Sequence, residues 1–407
     1  MGASSPSLLG APGAPPIGGA GPVIGKTGGN VALLLPLSGP LASIGQSLEN
    51  AAKLAFPANA PGGPVLDIRD TGGTPAGAAS AAQAAIAAGD GIILGPLTSG
   101  EAHAVMPIAQ GAGVNMLAFT NDSTVAAPGV WALGVTPTQQ VTRVLQAAAD
   151  AGRNQVAGLL PDTDFGHRLG DAIRQEAATL GEPMPQLTFY EASFSSVNQA
   201  VRQLSDFGSR GQSIENQIKR ARERNDAAGR AEARRLQHEP IPPPSFNALF
   251  IGATKSDTLA ELANFLPYYD VNPPQVQFMG PALWSDLAPA MAHQTTYLGA
   301  LYAAPDPAGA AAFDQKYQSA YGAAPPAIAD VAFDAAAIAK LASGAGGFTS
   351  AVLSAPAGFI GTDGVLVLDP DGQVQRGLAV YKIAPGAPEI ASPAPQRLGP
   401  AAAPPTS

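Results

Sequence analysis

Short apolar runs alternate with helix-length segments along most of the chain. The first run, residues 31–37, stops at Ser38 and Gly39 and passes directly into a helical pattern at 44–56. Apolar runs that are bounded by Gly, Pro or Ser and alternate with helices predict βαβ units around a parallel sheet. Two such series, divided near residue 134, therefore predict an α/β fold with two lobes and a hinge cleft between them.

Each lobe is predicted to be a parallel sheet between two layers of helices. Lobe 1 is predicted to contain residues 30–133 and 302–345, and lobe 2 residues 134–301 and 346–385. Within the last of these segments, alternating residues around Asp371 and Gly372 predict a β-hairpin. The Gly- and Pro-rich residues 1–29 predict a flexible tether, and residues 386–407 predict a disordered tail.

Small polar residues follow three of the predicted strands of lobe 1. Ser38 follows the first strand, Ser99 and Gly100 the third, and Thr120 and Thr124 the fourth. In an open parallel sheet, ligands bind outside the carboxyl ends of the strands. Hydroxyl side chains there cap the next helix and leave backbone N–H groups for an anion. Capping alone, and capping combined with ligand binding, both remain open.

Charge and composition exclude several classes of function. The net charge of −9 disfavours nucleic acid, which requires a basic face. The chain has no cysteine, and its four histidines lack the spacing of a metal site, so neither a metal nor a cofactor is expected. Residues 20–27 lack the first glycine of a phosphate loop and precede a strand. Neither a nucleophile elbow nor a zinc-protease motif is present. The protein is therefore predicted not to be an enzyme.

Residues 209–239 interrupt the alternating pattern. They hold eight of the 22 basic residues and few apolar ones. The segment predicts a charged, exposed helical insertion of lobe 2, with ion pairs between Glu215 and Lys219 and between Arg222 and Asp226. It is interpreted either as a solvated helix or as a partner-binding surface, with the candidate partner residues Arg220, Arg222 and Arg224.

Several motifs, in order along residues 31–385, resemble the type 1 periplasmic binding protein superfamily in its leucine-binding-protein-like branch. They include "VALLLPLSGPLASIGQSLENAAKLA", "ILGPLTSGEAHAVMPIAQGAGVNMLAFTNDSTV" and "LLPDTDFGHRLGDAIRQEAATLG". Within that superfamily, the chain resembles most the penicillin-binding protein activators, through "RDTGGTPAGA" and "GFIGTDGVLVLDPDGQVQRGLAVYKI".

This resemblance implies a non-enzymatic lipoprotein of the periplasm that regulates a peptidoglycan synthase, a penicillin-binding protein, through protein contact. It also implies a lipid anchor to the outer membrane, on a cysteine upstream of the given sequence, as the only link to a membrane. The alternative is the substrate-binding component of an ABC transporter for amino acids or other small polar solutes, with a membrane permease as the partner.

In amino-acid-binding relatives, the loops after the third and fourth strands hold the ligand's carboxylate and ammonium groups. The resemblance implies that the ligand-binding cleft is formed by Ser99, Gly100, Phe119, Thr120, Thr124 and, from lobe 2, Phe165. Ser38 from the first loop is predicted to complete this cleft. The chain lacks the arginine that relatives often carry before the hinge crossing. That difference argues against an amino acid as the ligand.

Overall fold

The computed structural model describes residues 25–56, 64–239 and 241–398. The strands are β1 (Val31–Leu35), β2 (Leu66–Asp70), β3 (Ile92–Leu94), β4 (Asn115–Ala118), β5 (Val130–Ala132), β6 (Val156–Pro161), β7 (Gln186–Tyr190), β8 (Ala248–Ile251), β9 (Gln277–Gly280), β10 (Leu301–Ala304), β11 (Phe359–Gly361), β12 (Gly364–Leu368), β13 (Val374–Arg376), β14 (Ala379–Lys382) and β15 (Glu389–Ser392). The α-helices are α1 (Ala42–Ala55), α2 (Pro75–Ala88), α3 (Ser99–Gly111), α4 (Pro137–Asp150), α5 (Asp164–Thr179), α6 (Phe194–Ser205), α7 (Phe207–Glu223), α8 (Ala227–Gln237), α9 (Ser256–Tyr268), α10 (Trp284–Met291), α11 (Pro307–Tyr321), α12 (Ala329–Gly344) and α13 (Ser350–Leu353).

The described residues form two compact units. Unit 1 takes the described parts of Met1–Gln139, Pro305–Leu378 and Ala394–Ser407, and unit 2 takes Gln140–Ala304 and Ala379–Pro393.

The sheet of unit 1 has five parallel strands in the order β2-β1-β3-β4-β5. All five residues of β1 are buried, because helices cover both faces of the sheet. Leu33 packs on one side in a cluster with residues of α1 and α12, and Leu34 packs on the other side with residues of α2 and α3. A strand that is buried on both faces reads as a continuous apolar run, as residues 31–35 do. The predicted α/β fold is confirmed.

The sheet of unit 2 has seven strands in the order β15-β14-β10-β9-β8-β6-β7. The five strands from β10 to β7 are parallel, and β14 and β15 add an antiparallel edge. The prediction of a disordered tail from residue 386 is therefore wrong for the described residues, since β15 pairs with β14. Arg143 fixes its end by donating from Nη2 to Ser392 Oγ (2.5 Å) and to the Pro393 carbonyl (3.2 Å).

The predicted tether and the predicted tail both extend beyond the described residues. Residues 1–24 of the predicted tether and residues 399–407 of the predicted tail lie there. At the described end of the tether, the Lys26 carbonyl accepts a hydrogen bond from the Phe348 backbone N–H (2.7 Å). This part of the tether is thus tied to unit 1.

The segment after α12 departs from the predicted lobe boundaries. The predicted hairpin is present, since β12 and β13 pair antiparallel, but residues 346–378 belong to unit 1 and not to the second lobe. The reason is packing: Phe359, Leu366 and Leu368 lie fully buried in the same apolar cluster as α1 and α12. The following strand, β14, lies in unit 2 and pairs with β10. Strand β10 also lies in unit 2, whereas the prediction assigned its residues 302–304 to lobe 1.

A buried polar cluster also joins α12 to this three-stranded sheet. The Asp334 carboxylate accepts hydrogen bonds from the backbone N–H of Thr362 (2.9 Å) and from its hydroxyl (3.0 Å). Beside it, Nη1 of Arg376 lies 3.4 Å from Oδ2 of Asp363. Asp330 is one helical turn before Asp334, so three carboxyl groups face a single guanidinium group.

The excess of carboxyl groups gives the stability of unit 1 a pH dependence. Burial, and next the charge of Asp363, raises the pKa of Asp334 to about 7. Burial and the same neighbour also raise the pKa of Asp330 well above its ordinary value. A carboxyl group whose pKa is raised by folding holds its proton more tightly in the folded state. Its contribution to stability is complete below the unfolded pKa of about 4 and is lost as the pH rises through the folded value.

We expect Asp330→Asn to stabilise the protein at about pH 8, because a buried amide beside two other carboxyl groups needs no proton to remain neutral. The free energy of unfolding should rise by about 1–3 kcal/mol there and change little at pH 4 or below. Urea denaturation at both pH values measures the difference. Asp314→Asn, at an exposed position of α11, is the control and should leave the pH profile unchanged. A variant Asp330→Asn that keeps the wild-type profile would show that the cluster does not titrate as described.

Candidate functional site

Three of the predicted ligand-binding residues of unit 1, Ser99, Thr120 and Thr124, lie at the carboxyl edge of its sheet, where the loops after β3 and β4 meet. Asp122 lies at the centre of this group and is only 4% exposed. It is not one of the ligand-binding residues predicted from the sequence. The Ser99 hydroxyl donates a hydrogen bond to Oδ2 of Asp122. Oδ1 accepts from the backbone N–H (3.1 Å) and the hydroxyl (2.7 Å) of Thr124. The side chain of Asp122 thus joins the two loops.

Thr120 and His103 complete the group around Asp122. The Thr120 hydroxyl accepts a hydrogen bond from the backbone N–H of Asp122 (3.1 Å). Nε2 of His103 lies 3.1 Å from the Thr124 hydroxyl and 3.7 Å from Oδ2 of Asp122. An imidazole beside a carboxylate forms an ion pair when it is protonated. We call these five residues, Ser99, His103, Thr120, Asp122 and Thr124, the Asp122 cluster.

A capping box fixes the start of α3 and so places Ser99 in the cluster. The Thr98 hydroxyl accepts from the backbone N–H of Glu101 (3.3 Å), and the Glu101 carboxylate accepts from the backbone N–H of Thr98 (3.0 Å). The Glu101 carboxylate also accepts from the hydroxyl of Thr71 (2.5 Å), which follows β2. This reciprocal capping is the pattern expected of a Thr followed three residues later by Glu.

Ser38 belongs to a different group, centred on Asp70 at the end of β2. Oδ1 of Asp70 accepts from the backbone N–H groups of Leu37 (2.8 Å), Ser38 (3.2 Å) and Gly72 (2.8 Å). Hydrogen bonds from the Ser38 side chain and the Gly72 backbone lower the pKa of this carboxyl group. Gly72 has a φ of +61°, a conformation in which glycine is favoured. The Ser38 loop is therefore held by a neighbouring strand end rather than by the Asp122 cluster.

The remaining predicted site residues have different environments. Phe119 is fully buried in the apolar core of unit 1, so only its backbone reaches the sheet edge. Gly100 is exposed at the second position of α3. Phe165 is half-buried at the start of α5 in unit 2. Two residues further along, the ring of His167 stacks on that of Phe189, with the ring centroids 4.5 Å apart.

The predicted insertion is a pair of helices, α7 and α8, joined by a turn at residues 224–226. Arg220, Arg222 and Arg224 are all exposed. Asp226 does not pair with Arg222 as predicted, because its carboxylate accepts from the backbone N–H of Gly229 (2.5 Å) and caps α8. That capping marks the start of α8.

Within the described ranges, no group of three or more His, Asp or Glu side chains is arranged to hold a metal ion. None of the helices that the structure describes combines the length and the apolar character needed to cross a bilayer.

Comparisons with known proteins identify the fold. Residues 30–387 match the family model described as periplasmic binding protein. The C-domain of LpoA from Haemophilus influenzae, described as a regulator of PBP1A, superposes with a TM-score of 0.61 at 17% identity, over 89% of this chain and 99% of that one. A Rhodospirillum rubrum protein assigned to branched-chain amino acid ABC transport superposes with a TM-score of 0.64 at 18% identity, over 89% and 99% of the two chains. The leucine-binding protein LivK from Thermotoga maritima gives a TM-score of 0.52 at 18% identity, over 91% and 99%. No curated protein sequence matches the chain.

These matches confirm the predicted resemblance to type 1 periplasmic binding proteins, with their fold of two parallel-sheet lobes. They include both kinds of protein that the sequence suggested, and at these identities they establish the fold alone.

We expect Asp122→Ala to destabilise the protein, because it leaves the hydroxyls of Ser99 and Thr124 and one backbone N–H without their common acceptor. The free energy of unfolding should fall by about 2–4 kcal/mol. Ser123→Ala, in the same loop, is the matched control and should change it by less than about 0.5 kcal/mol. Both are measured by urea denaturation. Equal stability of the two variants would mean that Asp122 does not hold the loops together.

Proposed function

The chain belongs to the periplasmic binding protein family, and from that premise we propose that it regulates a peptidoglycan synthase through protein contact in the periplasm, without catalysing a reaction. In this proposal an N-terminal lipid attached upstream of the given sequence anchors it to the outer membrane. The two units act as a scaffold that presents a surface to the synthase.

The main support for this proposal is that hydroxyl groups of the Asp122 cluster already donate their protons within the chain. A serine or threonine hydroxyl has a single proton to donate. Ser99 and Thr124 both donate theirs to Asp122. Neither can then donate to the carboxylate of an amino acid, and a second carboxylate next to Asp122 would be repelled by it. The strand-end loops are held together by a carboxylate of the chain itself, where relatives that bind amino acids use them for a ligand.

The fold comparison gives independent support. LpoA is described as a regulator of PBP1A, and its C-domain is covered almost completely by this chain. A penicillin-binding protein with synthase activity is accordingly the partner that we propose.

The second candidate is a substrate-binding protein of an ABC transporter. The superpositions on LivK and on the Rhodospirillum rubrum protein favour it. The Asp122 cluster restricts the ligand in this case, because its oxygen atoms offer acceptors. A polar solute rich in N–H or O–H donors fits such a site better than a carboxylate does.

Calorimetric titration with a panel of amino acids distinguishes the two candidates. We expect no heat of binding from the panel, and no change on Ser99→Ala combined with Thr120→Ala. We also expect the purified wild-type protein to bind a purified peptidoglycan synthase of the same organism and to change its rate of glycan polymerisation. Binding of an amino acid that is abolished in the double variant would instead establish the transporter function. A synthase that neither binds nor responds would contradict the regulatory function.

A further inference from the structure

Helices α7 and α8 form a small body of their own within unit 2, which we call the α7–α8 hairpin. Its two helices pack against each other around a core made of Ala221, Ala233 and Leu236, with Ile218 at the margin. None of the exposed large hydrophobic side chains in the described part of the chain lies on it. The hairpin has therefore used its apolar residues internally and presents a polar surface.

A buried arginine fixes the base of the hairpin to the rest of unit 2. Arg210 is 9% exposed, and its Nη1 and Nη2 donate to the carbonyls of Pro242 (2.7 Å) and Tyr269 (2.7 Å). Its guanidinium group also lies 5.9 Å from the centroid of the Phe207 ring. Two charge-assisted hydrogen bonds to carbonyls give α7 a defined position. The surface of the hairpin is consequently preorganised.

The charge of the hairpin is opposite to that of the chain. Residues 209–239 contain eight basic and five acidic residues, whereas the whole chain has a net charge of −9. Arg235 pairs with Glu232 and Glu239. Six other exposed basic side chains form no ion pair with any residue that the structure describes: Lys219, Arg220, Arg222, Arg224, Arg230 and Arg234. These cations are available to a partner.

A groove of about 530 Å³ lies on this surface. Its lining residues are Glu215, Ile218, Lys219, Arg222, Glu223 and Gln237. Lys219 and Arg222 provide positive charge, Glu215 and Glu223 provide negative charge, and half-buried Ile218 provides an apolar contact. The excess of positive charge belongs to the hairpin as a whole, on which the six unpaired cations outnumber these two carboxylates. Of the three arginines predicted from the sequence, Arg222 lines the groove.

We infer that this groove is the docking site for an acidic segment of a protein partner, in which carboxylates meet Lys219 and Arg222 and an apolar side chain contacts Ile218. The inference rests on the proposed function for the identity of the partner, a peptidoglycan synthase. The acidic character of the docking segment follows from the charge of the hairpin and does not depend on that function. Charge complementarity supports a protein segment, since an acidic peptide is attracted to a surface on which unpaired cations outnumber carboxylates. A bilayer fits less well, because membrane-bound helices insert an exposed apolar face and the hairpin has buried its own.

The test uses a fluorescein-labelled synthetic peptide in which glutamates alternate with leucines, with binding measured by fluorescence anisotropy at about 0.15 M salt. Lys219→Glu combined with Arg222→Glu should weaken binding at least about tenfold. The matched control is Arg230→Glu combined with Arg234→Glu, which changes the net charge equally on the same hairpin but outside the groove. It should weaken binding less than about threefold, because screening limits the effect of distant charges. Circular dichroism verifies that both variants are folded.

Three results would overturn the docking site. They are absence of peptide binding, equal losses in the two double variants, and binding of phosphatidylglycerol vesicles but not of the peptide. The same variants separate this inference from the proposed function. If the wild-type protein and the Lys219→Glu/Arg222→Glu variant bind the synthase equally well, the regulatory function stands and the groove is not its docking site. If the synthase does not bind at all while the peptide binds only to the intact groove, the docking chemistry stands and the partner is a different protein.

Discussion

Burial of the strands β1, β3, β4 and β5 of unit 1 is the constraint on which its arrangement depends. Leu33 and Leu34 point to opposite faces of β1, and each meets a layer of helices. A strand of this kind must then leave the sheet at its carboxyl end through a turn, as β1 and β3 do before the helices α1 and α3. The turns have to be polar because they emerge from the core, and since the strands are parallel, they emerge along one edge. The positions of Ser38, Ser99 and Thr120 follow from this requirement.

The edge produced in this way has different possible uses, and the partners of its polar groups decide among them. A hydroxyl that donates its proton to a residue of the same chain stabilises the loops, whereas one that donates to a solute binds a ligand. The hydroxyls of Ser99 and Thr124 donate to Asp122, so they stabilise the loops. Family membership alone does not make this distinction, because the same fold occurs in LpoA, described as a regulator of PBP1A, in a leucine-binding protein and in a protein assigned to ABC transport. Function depends on the site rather than on the fold.

Unit 2 illustrates how a surface is added to such a scaffold. The α7–α8 hairpin interrupts the βαβ order between β7 and β8 without disturbing the sheet, because β8 still pairs with β6. The buried Arg210 connects the two parts, and the capping of α8 by Asp226 sets the turn. Basic side chains concentrate on this addition in an otherwise acidic protein. An insertion that has its own small core can present charge without weakening the core of the unit that carries it.

The sequence by itself determined the alternation of strands and helices, the parallel sheet, the β12–β13 hairpin and the family, because these follow from local periodicity and from consecutive motifs. It also located the polar loops, since a strand that ends at small polar residues can be recognised locally. The tertiary structure alone decided that Ser99 donates to Asp122, 23 residues away. It also decided that residues 346–378 pack in unit 1 and that residues 389–392 form an edge strand. The physical reason is that a hydrogen-bond acceptor, a packing surface and a strand's neighbour are contributed by distant parts of the chain, and no local pattern specifies which of them will meet.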